Sequence, residues 1–216
     1  MITIITIKLN NRNGLQKTIE SVVSQTYFDR VRYIIIDGGS KDGSRELIES
    51  HQDKLYHWVS ESDSGLYNAM NKGIDAAPDE GYMLFLNSGD YLCANDVLEK
   101  IWDELDCDIV YGNEFKVHTS GSIKLSEFPD KLDEAFFHRT ALPHQSTFIR
   151  ASLQKANKYS EDYKLLGDWK FFREMIMVNH VTYKHIRHNI SVYGLDGLST
   201  INRSLHNKEK SDYYDL

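Results

Sequence analysis

Short apolar runs alternate with amphipathic stretches through the first hundred residues. Ile2 to Ile7 is an apolar, β-rich run, after which Leu15, Ile19, Val22 and Val23 recur at helical spacing. Val31 to Ile36 is almost continuously apolar and rich in β-branched residues, the pattern of a strand covered on both faces. Ser44 stands where it would cap a helix carrying Leu47 and Ile48. Tyr56 to Val59 reads as a third strand. Leu66 to Ile74 suits a helix of about two turns, with Gly73 as its stop signal. Tyr82 to Leu86 is a fourth strand, and Asn95 then caps a helix with Val97, Leu98, Ile101, Trp102 and Leu105 on one face. This rhythm predicts an α/β fold, a mixed and mostly parallel sheet with helices on both faces.

The pattern changes after Asp108. Asp108 to Tyr111 reads as a strand, and Glu114 to Leu125 as a hairpin turning at Ser120-Gly121. A weakly patterned stretch runs to Leu142. Gly167 to Val178 reads as a helix with Trp169, Phe172 and Ile176 inward, and Val181 to Ile186 as a last strand. The polar tail from Asn202 to Leu216 is helical or frayed, and its Tyr213 and Tyr214 are read as decoration. No internal repeat or linker divides the chain. We expect one domain over residues 1–216, with a nucleotide-sugar-binding half at 1–112 and an acceptor-binding half at 113–216.

Composition narrows the function. The 216 residues carry a formal net charge of −7, which argues against a nucleic-acid surface. It leaves room for an anionic small ligand, because a metal ion can carry the positive charge. The two cysteines, Cys93 and Cys107, have no metal-ligand spacing, and a reduced, cytoplasmic protein is the default expectation. The apolar N-terminus lacks a basic region and reads as a core strand. No run is long and apolar enough to span a bilayer.

Open α/β sheets bind ligands beyond the carboxyl ends of their strands. Three of the four early strand ends deliver an aspartate: Asp37, Asp63 and Asp90. Aspartate and glycine are common turn residues, so each alone has a bland reading. Together they repel one another unless a cation or donor hydroxyls satisfy them, as a nucleotide ribose and a divalent ion would. The segment after the first strand, Asn10-Asn-Arg-Asn-Gly14, lacks the glycines of a dinucleotide cradle. Gly38 and Gly43 have phosphate-loop spacing, but Ser44 follows where lysine is needed. No His-Glu-x-x-His or Gly-x-Ser-x-Gly element is present.

Taken in order, these elements resemble the inverting nucleotide-sugar glycosyltransferases of the large GT-A-fold family, the family 2 type. The resemblance rests on Leu15 to Tyr27 after the first strand, on Ile34-Ile-Ile-Asp-Gly-Gly-Ser-Lys-Asp-Gly-Ser44, and on Ser60 to Gly73. It rests further on Leu84-Phe-Leu-Asn-Ser-Gly-Asp90, on Pro143-His-Gln-Ser-Thr-Phe148 and on Leu166-Gly-Asp-Trp169. It implies that Asp37 binds the base or ribose, that Asp63 is a second nucleotide contact, and that Thr6 and Lys8 meet the base. Asn87 belongs to the same donor-binding set. Asp90 resembles the acid that holds Mn²⁺ or Mg²⁺ against the diphosphate, and Asp168 the general base on the acceptor hydroxyl. His144 resembles a residue lining the acceptor or the diphosphate side, the acceptor side being the one expected. The usual Asp-x-Asp motif is thinned here to Asn87-Ser-Gly-Asp90, with one carboxylate, so metal affinity is expected to be either weaker or helped by the donor diphosphate.

The implied partners are a nucleotide-sugar donor, with UDP-sugar as the expected class, and a saccharide or lipid-linked saccharide acceptor. The implied setting is surface-polysaccharide synthesis. A lipid-linked acceptor would bring the chain to the inner face of a membrane, although no basic amphipathic anchor is evident. Donor and acceptor choice is expected to lie in the loops between Asn113 and His144 and near Gly194 to Ser199. Two rivals remain: a nucleotidyltransferase, which wants a glycine-rich basic loop that Lys8 to Gly14 does not supply, and a degenerate module that binds a nucleotide sugar without turning it over. For Asp168 the plain alternative is a helix N-terminal charge on the dipole. His185, His188, Trp58, Trp102 and Trp169 are read as structural.

Overall fold

In the computed structural model, residues 1–194 and 202–214 are described, apart from the side chain of Arg203. Residues 195–199 of the second expected specificity loop lie outside them. The parallel half of the sheet is built from β1 (Ile2–Lys8), β2 (Val31–Asp37), β3 (His57–Ser60) and β4 (Tyr82–Phe85). The lateral order is β3-β2-β1-β4, all parallel, in register Lys8 beside Asp37 and Asp37 beside Ser60. Every residue of β1 is buried. Ile5 and Ile7 enter one core layer and Ile2 and Ile4 the other, which is why the run reads as apolar without alternation.

Helices α1 (Arg12–Val23) and α2 (Ser44–Glu49) supply residues to the second layer, and α3 (Leu66–Ala76) to the first. Three helix limits differ from expectation. Gly43, in the left-handed region at φ 83°, precedes α2 as its cap, and Ser44 is the first helical residue, its hydroxyl turned to Asp42. Gly73 lies inside α3, because its lack of a side chain lets the helix pack on Ile5 of β1. The helix α4 (Val97–Ile101) follows Asp96, not Asn95, whose carbonyl accepts from the Thr26 amide.

The second half joins this sheet through expected strands and through two, β5 and β8, that the hydrophobic pattern did not reveal. A two-residue strand, β5 (Tyr91–Leu92), pairs with β9 (Tyr183–Gly194). Next come β6 (Ile109–Val117) and β7 (Ile123–Ser126), the expected hairpin, and then helix α5 (Glu134–Arg139) inside the stretch read as patternless. Strand β8 (Thr147–Arg150) bridges β4 and β6 antiparallel and so welds the halves into one sheet of order β3-β2-β1-β4-β8-β6-β9-β5. Helix α6 (Ala151–Ala156) follows. Helix α7 (Gly167–Arg173) continues into a π-helical turn over Glu174–Val178, and β9 is longer than the expected Val181 to Ile186. The tail forms helix α8 (Arg203–Tyr214). No helix among the described residues is long and apolar enough to cross a membrane.

Candidate active site

The carboxyl ends of β3, β2, β1 and β4 stand side by side, and their loops are tied into one rim. Asp37 ends β2 with no exposed surface. Its carboxylate accepts from the Ser40 amide at 3.1 Å, from the Ser40 hydroxyl, and from the Ser60 hydroxyl at 2.6 Å. Lys8 is equally enclosed. Its ammonium lies 4.0 Å from Asp37, donates to Asp42 at 3.1 Å and also meets the Ser44 hydroxyl. This pair therefore shapes the loop from Gly38 to Gly43 from beneath. Asp63 is half-buried, accepts from the Gly65 amide at 3.0 Å, and packs so tightly on Gly38 that any side chain there would collide with it. Thr6 has no exposed surface either; its hydroxyl is 3.1 Å from the Tyr33 phenol and donates to the Leu86 carbonyl at 2.8 Å. The structure thus places Asp63 on the rim, with the enclosed Lys8 and Asp37 directly beneath the loop and the Thr6 side chain buried below them.

The turn Asn87 to Asp90 follows β4 and is held by α1. The Thr18 hydroxyl receives the Gly89 amide at 3.0 Å and donates to the Asp90 carbonyl at 2.7 Å. Asn11 donates to the Ser88 carbonyl at 3.0 Å, and the Ser88 hydroxyl returns a bond to the Asn11 carbonyl. Gly89 sits at φ 110°, a conformation glycine adopts without strain. Asp90 is 7% exposed.

One hydrogen-bonded chain joins this turn to the second half of the molecule. His144, directly before β8, approaches Asn87 Nδ2 through Nε2 at 3.0 Å and Asp168 Oδ2 through Nδ1 at 3.0 Å. With Asn87 donating, the neutral imidazole carries its hydrogen on Nδ1 and gives it to Asp168. Asp168, in the first turn of α7, also accepts from the Tyr67 phenol at 2.8 Å and from the Trp169 amide at 2.9 Å. Both His144 and Asp168 keep 17% of their side-chain surface exposed, so the chain ends in a partly open carboxylate.

The electrostatics follow from burial and these contacts. Burial raises the Asp168 pKa, but the hydrogen bond and charge of His144, with Tyr67 and the Trp169 amide, outweigh it and hold it below the ordinary carboxylate value. Burial pulls the His144 imidazole down, yet Asp168, with the charges of Asp90 and Glu114 behind it, leaves it raised. Burial and the Asp168 charge push the Tyr67 phenol well up, so it remains a proton donor to Asp168. Glu114 on β6 is 2% exposed and raised by burial, against Lys116 at 3.2 Å and the Gln145 amide.

A divalent cation is the group the family resemblance implies here. No cluster of three or more His, Cys, Asp or Glu that could hold a metal occurs among the described residues. The turn instead supplies the Asp90 carboxylate, and beside it Asn87 Oδ1, a buried oxygen with no hydrogen-bond partner. That set would suit a hard cation that keeps its waters and takes further oxygens from a phosphate ligand, with Asp90 holding it and Asn87 Oδ1 left as a spare acceptor at the same turn. It does not fit a protein-only cage.

Several contributors lay outside the sequence-derived set. Tyr67 falls within the Ser60 to Gly73 segment singled out above, but nothing marked its hydroxyl. Thr18 read simply as a helix position, and Asn11 as part of the loop after the first strand. His185 and His188 are structural as expected: His185 stacks on Tyr111 and bonds Asp130 and Asn113, and His188 pairs with Glu104.

The strand order and the paired halves are those of the GT-A nucleotide-sugar transferases. The fold superposes on Staphylococcus aureus TarS residues 1–349 in complex with UDP with a TM-score of 0.73 at 19% identity, covering 89% of this chain and 60% of that one. The Pyrobaculum calidifontis mannosyltransferase PcManGT, in complex with GDP-Man and Mn²⁺, gives 0.65 at 15% identity, covering 92% and 58%. Residues 3–127 match the model of glycosyl transferase family 2. An uncharacterized glycosyltransferase of Mycobacterium tuberculosis is 30% identical over 182 residues, 82% of this chain and 69% of its own length. A PGL/p-HBAD biosynthesis glycosyltransferase of Mycobacterium bovis is 30% identical over 179 residues, 79% and 68% respectively. This chain belongs to glycosyltransferase family 2.

Proposed function

We propose that the chain transfers a sugar, with inversion, from a UDP-sugar to an acceptor hydroxyl, and that Asp168 is the general base. The observation that carries this is the chain Asn87–His144–Asp168, which links the strand-end turn bearing Asp90 to a partly open carboxylate on the other half. A donor bound over the rim by its nucleotide would present its anomeric carbon between the two. The acceptor oxygen attacks that carbon, the bond to the diphosphate breaks, and the hydroxyl proton passes to Asp168. Because its pKa is held low, Asp168 is ionised and ready at neutral pH, at some cost in basic strength. Tyr67 and His144 aim its two oxygens.

Asp90 would hold a Mn²⁺ or Mg²⁺ ion. When bound, such an ion supplies positive charge to the leaving diphosphate. Asp37 and Lys8 act from below by fixing the Gly38 to Gly43 loop on which base and ribose rest, while Asp63 closes its far side. Thr6 anchors β1 and does not touch the donor. Residues 1–112 would form the donor half and 113–216 the acceptor half, with acceptor choice in the region between Asn113 and His144. The UDP held by TarS and the GDP-Man and Mn²⁺ held by PcManGT support a nucleotide-sugar donor here, and the PGL/p-HBAD biosynthesis named for the M. bovis relative is compatible with a saccharide or lipid-linked acceptor in surface-glycan synthesis. Such an acceptor would draw the protein to the inner membrane face.

The test is release of UDP or GDP from a panel of UDP- and GDP-sugars, with Mn²⁺ and with a chelator, for the wild type and Asp90→Ala. Metal-dependent release from a UDP-sugar that Asp90→Ala abolishes supports the proposal. Release indifferent to both chelator and substitution overturns the role of Asp90. Nucleotide-sugar binding without release would favour a degenerate binding module.

A further inference from the structure

The polar C-terminal helix has a surface that the reaction reading does not use. Glu209 on α8 is 8% exposed, although nothing in the sequence marks it as inward. Its Oε1 accepts from the Lys164 amide at 2.6 Å, and its Oε2 from the Leu165 and Leu166 amides at 3.0 Å each. These three N–H groups belong to the turn that leads into α7, two to four residues before Asp168. Amides at a helix entrance lack intrahelical partners, and an acid there also meets the positive end of the helix dipole. A carboxylate receiving three such bonds fixes the path of the chain into that helix.

The same helix grips the other side of Asp168. Trp169, the next residue, takes Tyr213 edge-on at 5.1 Å and Tyr214 at 5.8 Å between ring centroids. Arg173 donates to the Tyr213 hydroxyl at 2.6 Å, and Tyr213 donates to Glu174 at 3.3 Å. Lys210 donates to the His138 carbonyl at 2.9 Å, and the His138 ring stacks on Tyr214 at 4.4 Å. Reading the tail tyrosines as decoration is therefore corrected: they are packing residues on α5 and α7. A polar helix of 12 residues is marginal alone and persists through such docking.

We propose that Glu209 is a positioning residue for the base, and that α8 clamps the entrance of α7 so that the Asp168 carboxylate stays within reach of His144 and Tyr67. This rests on the reading of Asp168 as the general base, but its test does not require turnover. The clamp acts on backbone, so its loss frees the Lys164 to Leu166 turn and lets Asp168 drift from the imidazole.

The experiment titrates the His144 imidazole by NMR in the whole chain labelled at histidine, the signal assigned by its disappearance in His144→Gln. The groups that face His144 are Asp168 from α7, Asp90 from the turn after β4, Glu114 from β6 and the Asn87 amide. Substitution of Glu209 alters none of these directly. In Glu209→Ala the upward shift of His144 should be largely lost, and exchange at the Lys164, Leu165 and Leu166 amides should rise about tenfold or more. In Glu209→Gln, which keeps the shape but sets amide hydrogens against the backbone donors, part of the shift should be lost. An unchanged His144 titration in either folded variant overturns the proposal. Should Glu209→Ala not fold, Glu209→Gln alone decides in the same way. Normal transfer by Asp168→Asn would instead remove the base assignment and leave this result standing, so the two failures are distinguishable.

Discussion

Gly167 lies directly before Asp168, and three atoms of the Tyr67 ring would lie only 2.7, 2.8 and 2.9 Å from a Cβ placed on it. Gly167→Ala therefore forces the ring outward. Reaching the 3.4 Å at which ordinary contact begins requires a retreat of about 0.5–0.7 Å. The Tyr67 phenol now donates to Asp168 at 2.8 Å, so the same displacement carried to the hydroxyl stretches that bond beyond useful length. Two terms destabilise: overpacking, about 1–3 kcal/mol, and a weakened hydrogen bond to a charged acceptor, about 1.5–3 kcal/mol if wholly lost. One term opposes them, since alanine is better than glycine inside a helix by about 1 kcal/mol. The clash wins, and the expected net loss is about 1.5–5 kcal/mol when the bond is wholly lost, with a fall in turnover of about tenfold or more as Asp168 loses one of its two side-chain donors. Urea unfolding and transfer kinetics measure both. A Gly167→Ala protein as stable as the wild type and as fast would refute the packing argument and with it the part given to Tyr67.

Other outcomes follow from the same contacts. Burial raises the Asp168 pKa and His144 is the largest opposing influence, so His144→Ala should move the acid limb of the transfer rate to higher pH. In the wild type the depressed value means that the ionised form contributes stability above the ordinary carboxylate range, lost as pH falls through the folded pKa; an unmoved limb in the variant would count against the pairing. For Asp42, burial is outweighed by the Ser44 hydroxyl, the Arg12 amide and Lys8, which hold it at about 2. Its contribution is thus present above its ordinary 3.8 and lost as pH falls towards about 2, and Asp42→Asn should flatten unfolding free energy across that window. Lys8→Met strips the enclosed Asp37 of its cation and should destabilise by about 3–5 kcal/mol in urea unfolding. Gly73→Ala drives a methyl into Ile5 and should cost about 1–3 kcal/mol, read as a lower melting temperature with nucleotide affinity intact.

The parallel half was legible because both faces of β1 and β2 are covered, which leaves uninterrupted apolar runs such as Ile2 to Ile7. The acids Asp37 and Asp90 were legible for the same reason, since each follows such a run. The second half was legible only in part: its hairpin, the helix from Gly167 and the last strand were expected, but β5, α5 and β8 were not, because they are short and draw their partners from afar. Strand β5 has only Tyr91 and Leu92, and β8 is specified by pairing with β4 and β6, not by a period of its own. Gly73 misled because a close helix–strand approach and a helix stop use the same residue. Asp37 was legible as a strand-end acid, but not its burial or the Ser40 and Ser60 bonds that hold its carboxylate, since sequence spacing cannot aim those side chains. Glu209 was invisible because burial of one carboxylate in a polar tail depends entirely on where α8 docks.

The central claim is that Asp168 takes the acceptor proton at a site shared by both halves. It is tested most directly by comparing Asp168→Asn with the wild type in single-turnover transfer and in UDP affinity by calorimetry. Turnover lowered by about 10²–10⁴ with UDP affinity preserved is the predicted result. Near-normal turnover in the variant would contradict the account.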